Sequence, residues 1–152
     1  MQTFLPYPSF ARSARTLDRQ RLGKQRVEAL QILDALTVPG AGWTNHPATK
    51  MWRGYEQALV CYTDHMCAEW IQRGYDNTKC GEKLAEYINV FDPVCGEEEQ
   101  PWWMGNRAFH MQHRRKLMWK DPDHYSQWFR IIPQSEEPHY LWPTEDKEFI
   151  RG

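Results

Sequence analysis

The sequence predicts an all-α fold, a compact bundle of three principal helices with long loops and an aromatic C-terminal segment. Three observations carry that expectation. Apolar residues recur at steps of three and four in the segments 16–36, 48–73 and 106–120. Each segment is bracketed by capping or stop residues. No stretch alternates convincingly at the period of two that a half-buried strand requires, and no internal repeat is visible. The 152 residues suit one domain, 1–152, with enough chain for a real hydrophobic core.

In chain order, the first fifteen residues contain Pro6 and Pro8 and are expected to be irregular or extended. A first principal helix is predicted from Thr16, as N-cap, to about Leu36, where Val38-Pro39-Gly40 stops it. At 100° per residue Leu22, Ala29, Leu33 and Leu36 share one apolar face, bordered by Arg21, Lys24, Gln25 and Glu28. A polar border on an anchored helix is where a ligand can be met. Gly40 to Pro47 is predicted as a loop. A longer helix should then run from Ala48 to Arg73, with Met51, Tyr55, Ala58, Leu59, Tyr62, Met66 and Trp70 as its core stripe and Gly74 as its stop. Residues 81–89 suit a short helix, and Asp92 to Pro101 a polar loop. The last principal helix is expected from Asn106, as N-cap, to Lys120, ended by Asp121-Pro122 and followed by the aromatic tail.

Bulk composition excludes several classes. There are eight Trp, seven Tyr and six Phe, so global disorder is not expected. No run approaches the length of a membrane helix, and Met1 to Pro6 lacks the regions of a signal peptide. Cys61, Cys67, Cys80 and Cys95 include no close-spaced pair, so reduced thiols in a cytoplasmic protein are expected. The formal net charge of −1 argues by itself against a nucleic-acid partner, but its distribution does not. Arg12, Arg15, Arg19, Arg21, Lys24 and Arg26 face Asp18 alone within residues 12–26. A second basic run holds Arg114, Arg115, Lys116 and Lys120, while the acids cluster in Glu97-Glu98-Glu99, Glu136-Glu137 and Glu145-Asp146. A chain so polarised can present one cationic face to a polyanion.

Taken without context, these residues have ordinary roles. Glu28, four residues after Lys24 and seven after Arg21, suits a helical surface acid in weak pairs. The basic stripe suits a solvated face, and the tryptophans suit packing. Tyr125 and Trp128 stand apart because basic residues precede them, as in a strand-binding surface. His110 and His113 on one helix face, or Cys61 and His65 on another, lack the third ligand a metal needs, so no metal site is predicted. His110 and His113 are expected to approach a cleft or bond phosphate, and His46 to orient groups from its loop.

Order and spacing carry more than any single motif. Leu17-Asp-Arg-Gln-Arg-Leu22 followed by Arg26-Val-Glu28-Ala-Leu30 resembles the pyrimidine-dimer DNA glycosylase family of phage endonuclease V type. In that family an early helix carries the catalytic glutamate six residues after a leucine, the place of Glu28 here. The similarity continues through His46-Pro47 and Glu69-Trp-Ile-Gln-Arg-Gly-Tyr75. It resumes from Ala108 to Phe129, where Arg115 and Pro122-x-His-Tyr125-x-x-Trp-Phe129 resemble the family's last helix and aromatic segment.

The resemblance implies a DNA N-glycosylase with AP-lyase activity, monomeric, free of cofactor and nucleoid-associated in the cytoplasm. Its partner would be double-stranded DNA with a damaged or modified base. A free α-amine at the N-terminus attacks the sugar C1′, expels the base and leaves an imine, and β-elimination nicks the strand. An α-amine, with a reference pKa of about 8, keeps a neutral fraction near pH 7. Glu28 would stabilise the cationic sugar and move protons, and Arg21 would line the site. Arg15, Arg19, Lys24, Arg26, His46, His110, His113, Arg114, Arg115, Tyr125 and Trp128 would meet the bent duplex. The chain departs from the family in three places. Gln2 is too large for efficient removal of Met1, so the amine is expected on Met1 rather than on a small second residue. The segment before Glu28 is a few residues longer, and Val27 replaces an arginine. A non-catalytic DNA-binding protein of the same fold, and an N-glycosidic enzyme acting on a nucleoside or nucleotide, remain as alternatives.

Overall fold

The computed structural model describes all 152 residues. Seven helices and one small ribbon follow in order: α1 (Phe10–Thr16), α2 (Arg19–Thr37), α3 (Pro47–Trp52), α4 (Glu56–Gln72), α5 (Thr78–Phe91), α6 (Arg107–Lys120), α7 (Pro122–Tyr125), β1 (Leu141–Pro143) and β2 (Phe149–Arg151). The all-α class holds. The antiparallel ribbon, pairing Trp142 with Ile150, is an addition that three-residue strands are too short to announce.

One predicted helix begins later than expected, behind an additional helix in the segment expected to be irregular, and another is divided. The first does not start at Thr16. Residues 10–16 already form α1, capped by Ser9, and the chain then extends through Leu17 and Asp18 before α2 begins. Asp18 is the true N-cap, accepting from the Arg21 N–H at 3.3 Å. The joint is held from two sides. The Tyr125 hydroxyl donates to Asp18 at 2.5 Å and accepts from the Asp18 N–H at 3.1 Å. Arg73 donates to the carbonyls of Ala14, Arg15 and Leu17 that end α1. The second predicted helix breaks at Arg53-Gly54-Tyr55, where Gly54 takes φ +88°, a conformation glycine reaches without strain. The break at Gly54 interrupts a segment whose apolar spacing continues across it, so periodicity alone could not show it.

Helix α6 runs from Asn106, its N-cap, to Lys120, as the sequence predicts, and Gly74 ends the α4 segment at φ +91°. The 81–89 helix is longer than expected, occupying 78–91 as α5. Cys61 of α4 and Cys95 of the following loop form a disulfide, correcting the expectation of four reduced thiols; Cys67 and Cys80 are free. Spacing hid this pair because the two cysteines are 34 residues apart. No helix is long and apolar enough to cross a membrane.

Helices α2 and α4 form the central pair, with α1 and α5 against α4. The core runs from Leu22, Ile32 and Leu33 through Leu59, Tyr62 and Met66 to Trp52, Trp103 and Phe109. The N-terminal segment, expected to be irregular or extended, has no regular structure through residue 9 and is part of this core. Gln2, Thr3, Phe4 and Leu5 are buried, and the strap lies between the α2–α4 pair and α6. An extended buried strap leaves its backbone groups without a helix or sheet to satisfy them. Side chains do so instead, and this fixes the chain start in place.

Candidate functional site

The strap is bonded from four helices. Gln25 of α2 spans two of its residues: Oε1 accepts from the Phe4 N–H at 2.7 Å, and Nε2 donates to the Gln2 carbonyl at 3.0 Å. Tyr62 of α4 donates to the same Oε1 at 2.6 Å and to the Phe4 carbonyl at 3.0 Å. Trp52 of α3 donates its indole N–H to Thr3 Oγ1. From α6, His113 Nδ1 accepts the Leu5 N–H and His110 Nδ1 donates to the Leu5 carbonyl, both at 2.8 Å. Arg114 donates to the Pro6 carbonyl.

These bonds hold the chain start against α2. The backbone N–H of Gln2 donates to Glu28 Oε2 at 3.0 Å. Met1, Gln2, Arg21, Lys24, Glu28 and Lys120 line one pocket of about 300 Å³, with Tyr140 at its edge. On α2, Gln25 and Glu28 are three residues apart, so one helix turn both clamps the strap and presents the carboxylate. Arg21 is paired with Asp18 at 3.2 Å. Lys120 is held below the ordinary lysine range, first by burial and then by the charges of Arg21 and other cations including Lys24. Glu28 is the one anionic side chain of this pocket, which also holds Arg21, Lys24 and Lys120.

His46 belongs to the same neighbourhood. Its Nδ1 accepts the Ala48 N–H at 3.0 Å as the N-cap of α3, and its ring meets Trp43 and Trp142 edge-on. Burial lowers its pKa; the terminal ammonium lowers it further and Glu28 opposes them. Tyr62 is raised well above its usual range by burial and by the Glu28 charge.

The residues predicted for the site divide clearly. Glu28, Met1, Gln2, Arg21 and Lys24 are brought together, with His46 nearby. Arg15 and Arg19 are exposed at the α1–α2 joint, and Trp128 is 46% exposed. Arg115 is exposed but lies in a different groove with Arg107 and Arg151. Five assignments are corrected. His110 and His113 are buried at 2% and 1% exposure, and their rings bond the strap rather than phosphate. Tyr125 is fully buried as the clamp on Asp18, so no base can stack on it. Arg114 is turned to Pro6 and Tyr7. Arg26 donates to Asn77 at 2.7 Å and lies 4.1 Å from the Trp70 ring centre, bracing α5 against α2.

Four pocket or strap residues escaped sequence reasoning: Gln25, Tyr62, Lys120 and Tyr140. Gln25 left a signal, since it interrupts the apolar face between Leu22 and Ala29 and is 2% exposed. A buried amide on a helix face needs partners, and here they are the strap. Tyr62 read as core stripe, and nothing in the sequence linked Lys120 or Tyr140 to the chain start.

The strap has a pH signature. Burial pushes the His113 pKa down to about 3, so the ring is neutral in the fold and becomes protonated on unfolding at moderately acid pH. Between pH 6.5 and about 3 the unfolded chain binds the extra proton, so stability falls with falling pH at up to about 1.4 kcal/mol per unit. Thermal melts from pH 7.5 to 4.5 are expected to show this slope. In His113→Asn, whose Oδ1 can replace Nδ1 as acceptor for Leu5, the slope should flatten.

A family model for pyrimidine dimer DNA glycosylase matches residues 1–82, more than half of the chain and all of the segment from the strap to the start of α5. No curated protein and no solved structure matches significantly. The matched segment contains the strap, the α2 ridge with Glu28 and the His46 cap, and the chain belongs to the pyrimidine dimer DNA glycosylase family.

Proposed function

We propose that this protein is a DNA N-glycosylase with AP-lyase activity, acting on a damaged or modified pyrimidine in duplex DNA through an imine at its N-terminal amine. The observation that carries the reading is the Gln2 N–H to Glu28 contact of 3.0 Å, with Met1 in the same pocket. A nucleophilic amine and an acid–base carboxylate must share one site for this chemistry. The longer segment before Glu28 does not separate them, because the clamped strap turns the chain start back onto α2.

The steps follow from these residues. The neutral Met1 amine attacks C1′, while the Glu28 carboxylate stabilises the positive charge developing on the sugar. The glycosidic bond breaks, and its electron pair leaves with the base. Glu28 accepts the proton released by the amine and returns one as the sugar ring opens to the imine. Loss of a C2′ proton then drives elimination of the 3′ phosphate. The Gln2 N–H, already on Oε2, keeps the carboxylate turned toward the amine. His46 caps α3 in the loop beside them.

Duplex binding falls to the exposed cations. Arg15, Arg19 and Lys24 are exposed, and none is ion-paired. Arg115 and Trp128 offer further contacts farther along the surface. Binding to a duplex with an abasic site is expected to weaken steeply with salt, and Lys24→Ala or Arg19→Ala should each reduce the slope of log K against log salt by about one. A slope unchanged in both would place the phosphates elsewhere.

Borohydride trapping on a duplex with a single abasic site tests the chemistry. A covalent adduct is expected, and digestion with mass measurement should place it on the Met1 amine. An adduct on Gln2 would mean that Met1 is removed and that the nitrogen already bonded to Glu28 is the nucleophile. Salt-sensitive binding without an adduct would make the protein a binder that kept the fold and lost the reaction.

A further inference from the structure

The amine pocket takes side chains from two principal helices. Helix α2 supplies Arg21, Lys24 and Glu28, and the C-terminal end of α6 supplies Lys120. The family match ends at residue 82, well before Lys120. Met1 and Glu28 serve the chemistry at C1′ and C2′. The phosphate that departs from C3′ carries away negative charge and needs a partner of its own.

Among the cations at this pocket most are already engaged. Arg21 is tied to Asp18 at 3.2 Å. Lys116, one turn before Lys120 on α6, is tied to Glu137 at 2.7 Å and to the Pro138 carbonyl at 2.9 Å. Lys24 and Lys120 take part in no ion pair. Lys24 stands one turn from Glu28 on the same helix, whereas Lys120 reaches the pocket from α6. Burial and then the charges of Arg21 and Lys116 disfavour the Lys120 ammonium. An anion beside it would offset a repulsion that the fold leaves in place. An unpaired ammonium in a pocket built for a sugar suits the phosphate attached to that sugar.

We propose that Lys120 binds the phosphate on C3′ and stabilises it as it leaves, an assignment that rests on the glycosylase reading above. With the imine formed between the Met1 nitrogen and C1′, the Glu28 carboxylate takes a proton from C2′. The C2′–H electron pair becomes the C2′=C3′ double bond, conjugated with the imine. The C3′–O bond breaks, and its electron pair leaves on the phosphate oxygen. A diester with one negative charge departs as a monoester that carries up to two. Charge that grows during the step is what a fixed ammonium stabilises more in the transition state than in the bound substrate. Glu28 from α2 and Lys120 from α6 then serve the proton and the leaving group of one elimination.

A duplex with one abasic site reads the two steps apart. Borohydride trapping counts the imine, and strand nicking without borohydride counts the elimination. In Lys120→Gln nicking is expected to slow about tenfold or more relative to trapping in the same variant. The imine then persists, so the trapped adduct should hold mostly unbroken strand, where the wild-type adduct holds broken strand as well. Lys120→Arg, which keeps the charge, should nick within about threefold of wild type. Lys120 is the last, exposed residue of α6, so both variants should melt as the wild type does. Equal losses of nicking and trapping in Lys120→Gln, or nicking at the wild-type rate, would overturn the assignment. So would Lys120→Arg nicking as slowly as Lys120→Gln, an adduct on Lys120 itself, or a wild-type protein that traps but does not nick. A wild-type protein that traps nothing would overturn the imine chemistry, and the Lys120 assignment with it.

Discussion

Glu28→Gln is expected to slow base release and imine trapping by 10² to 10⁴, the range for loss of a positioned acid–base group, which corresponds to about 3–5 kcal/mol of barrier. Single-turnover assays on lesion-bearing and abasic-site duplexes read this directly. The substitution keeps the shape and the acceptor for the Gln2 N–H, now 3.0 Å from Oε2, so the strap should stay in place. It removes the only anion from a pocket lined by Arg21, Lys24 and Lys120. DNA binding should therefore hold or tighten while the reaction fails. Stability should change little, because the side chain is part-exposed and not held in an ion pair. If the variant instead releases base at the wild-type rate, Glu28 is a surface acid on a helix border and the contact with Gln2 is only structural.

Some of this site was legible in the sequence. Glu28 was reached through the family resemblance, which placed it six residues after Leu22 on the polar border of α2. The run from Arg12 to Arg26 gave the cationic side, though Arg26 is spent on Asn77 and Trp70. Pro6 and Pro8 correctly suggested a non-helical entry, but proline says nothing about burial. What was not legible depends on contacts far apart in the chain. Leu5 meets His113 across 108 residues and Tyr125 meets Asp18 across 107. A histidine or tyrosine near basic residues suits a nucleic-acid surface in sequence; only burial shows it bonding backbone instead. The α1–α2 joint has the same origin, since Arg73 and Tyr125 stabilise it from distant elements. Trp70 closed the predicted core stripe and Tyr75 lay beyond its Gly74 stop, where periodicity carries no information.

The clamp on the strap predicts the second large effect. In Gln25→Ala the Phe4 N–H and the Gln2 carbonyl lose their partners inside the core, while Tyr62 keeps the Phe4 carbonyl at 3.0 Å. Two orphaned groups at about 1–3 kcal/mol each imply a loss of about 2–6 kcal/mol, a large share of the stability of a small domain. Denaturant unfolding should show it as a lower midpoint with an unchanged slope. The released strap should also carry the Met1 amine away from Glu28, so kcat should fall at temperatures where the variant remains folded, with KM and the salt slope of binding preserved. Gln25→Glu separates positioning from folding. Its deprotonated carboxylate would oppose the Gln2 carbonyl and stand one turn from Glu28; protonation would restore a donor at the place of Nε2. Its activity should recover relative to wild type as pH is lowered toward 5, whereas Gln25→Ala should show no such recovery. Two variants with the same pH profile would mean that Gln25 supports the core without setting the position of the amine.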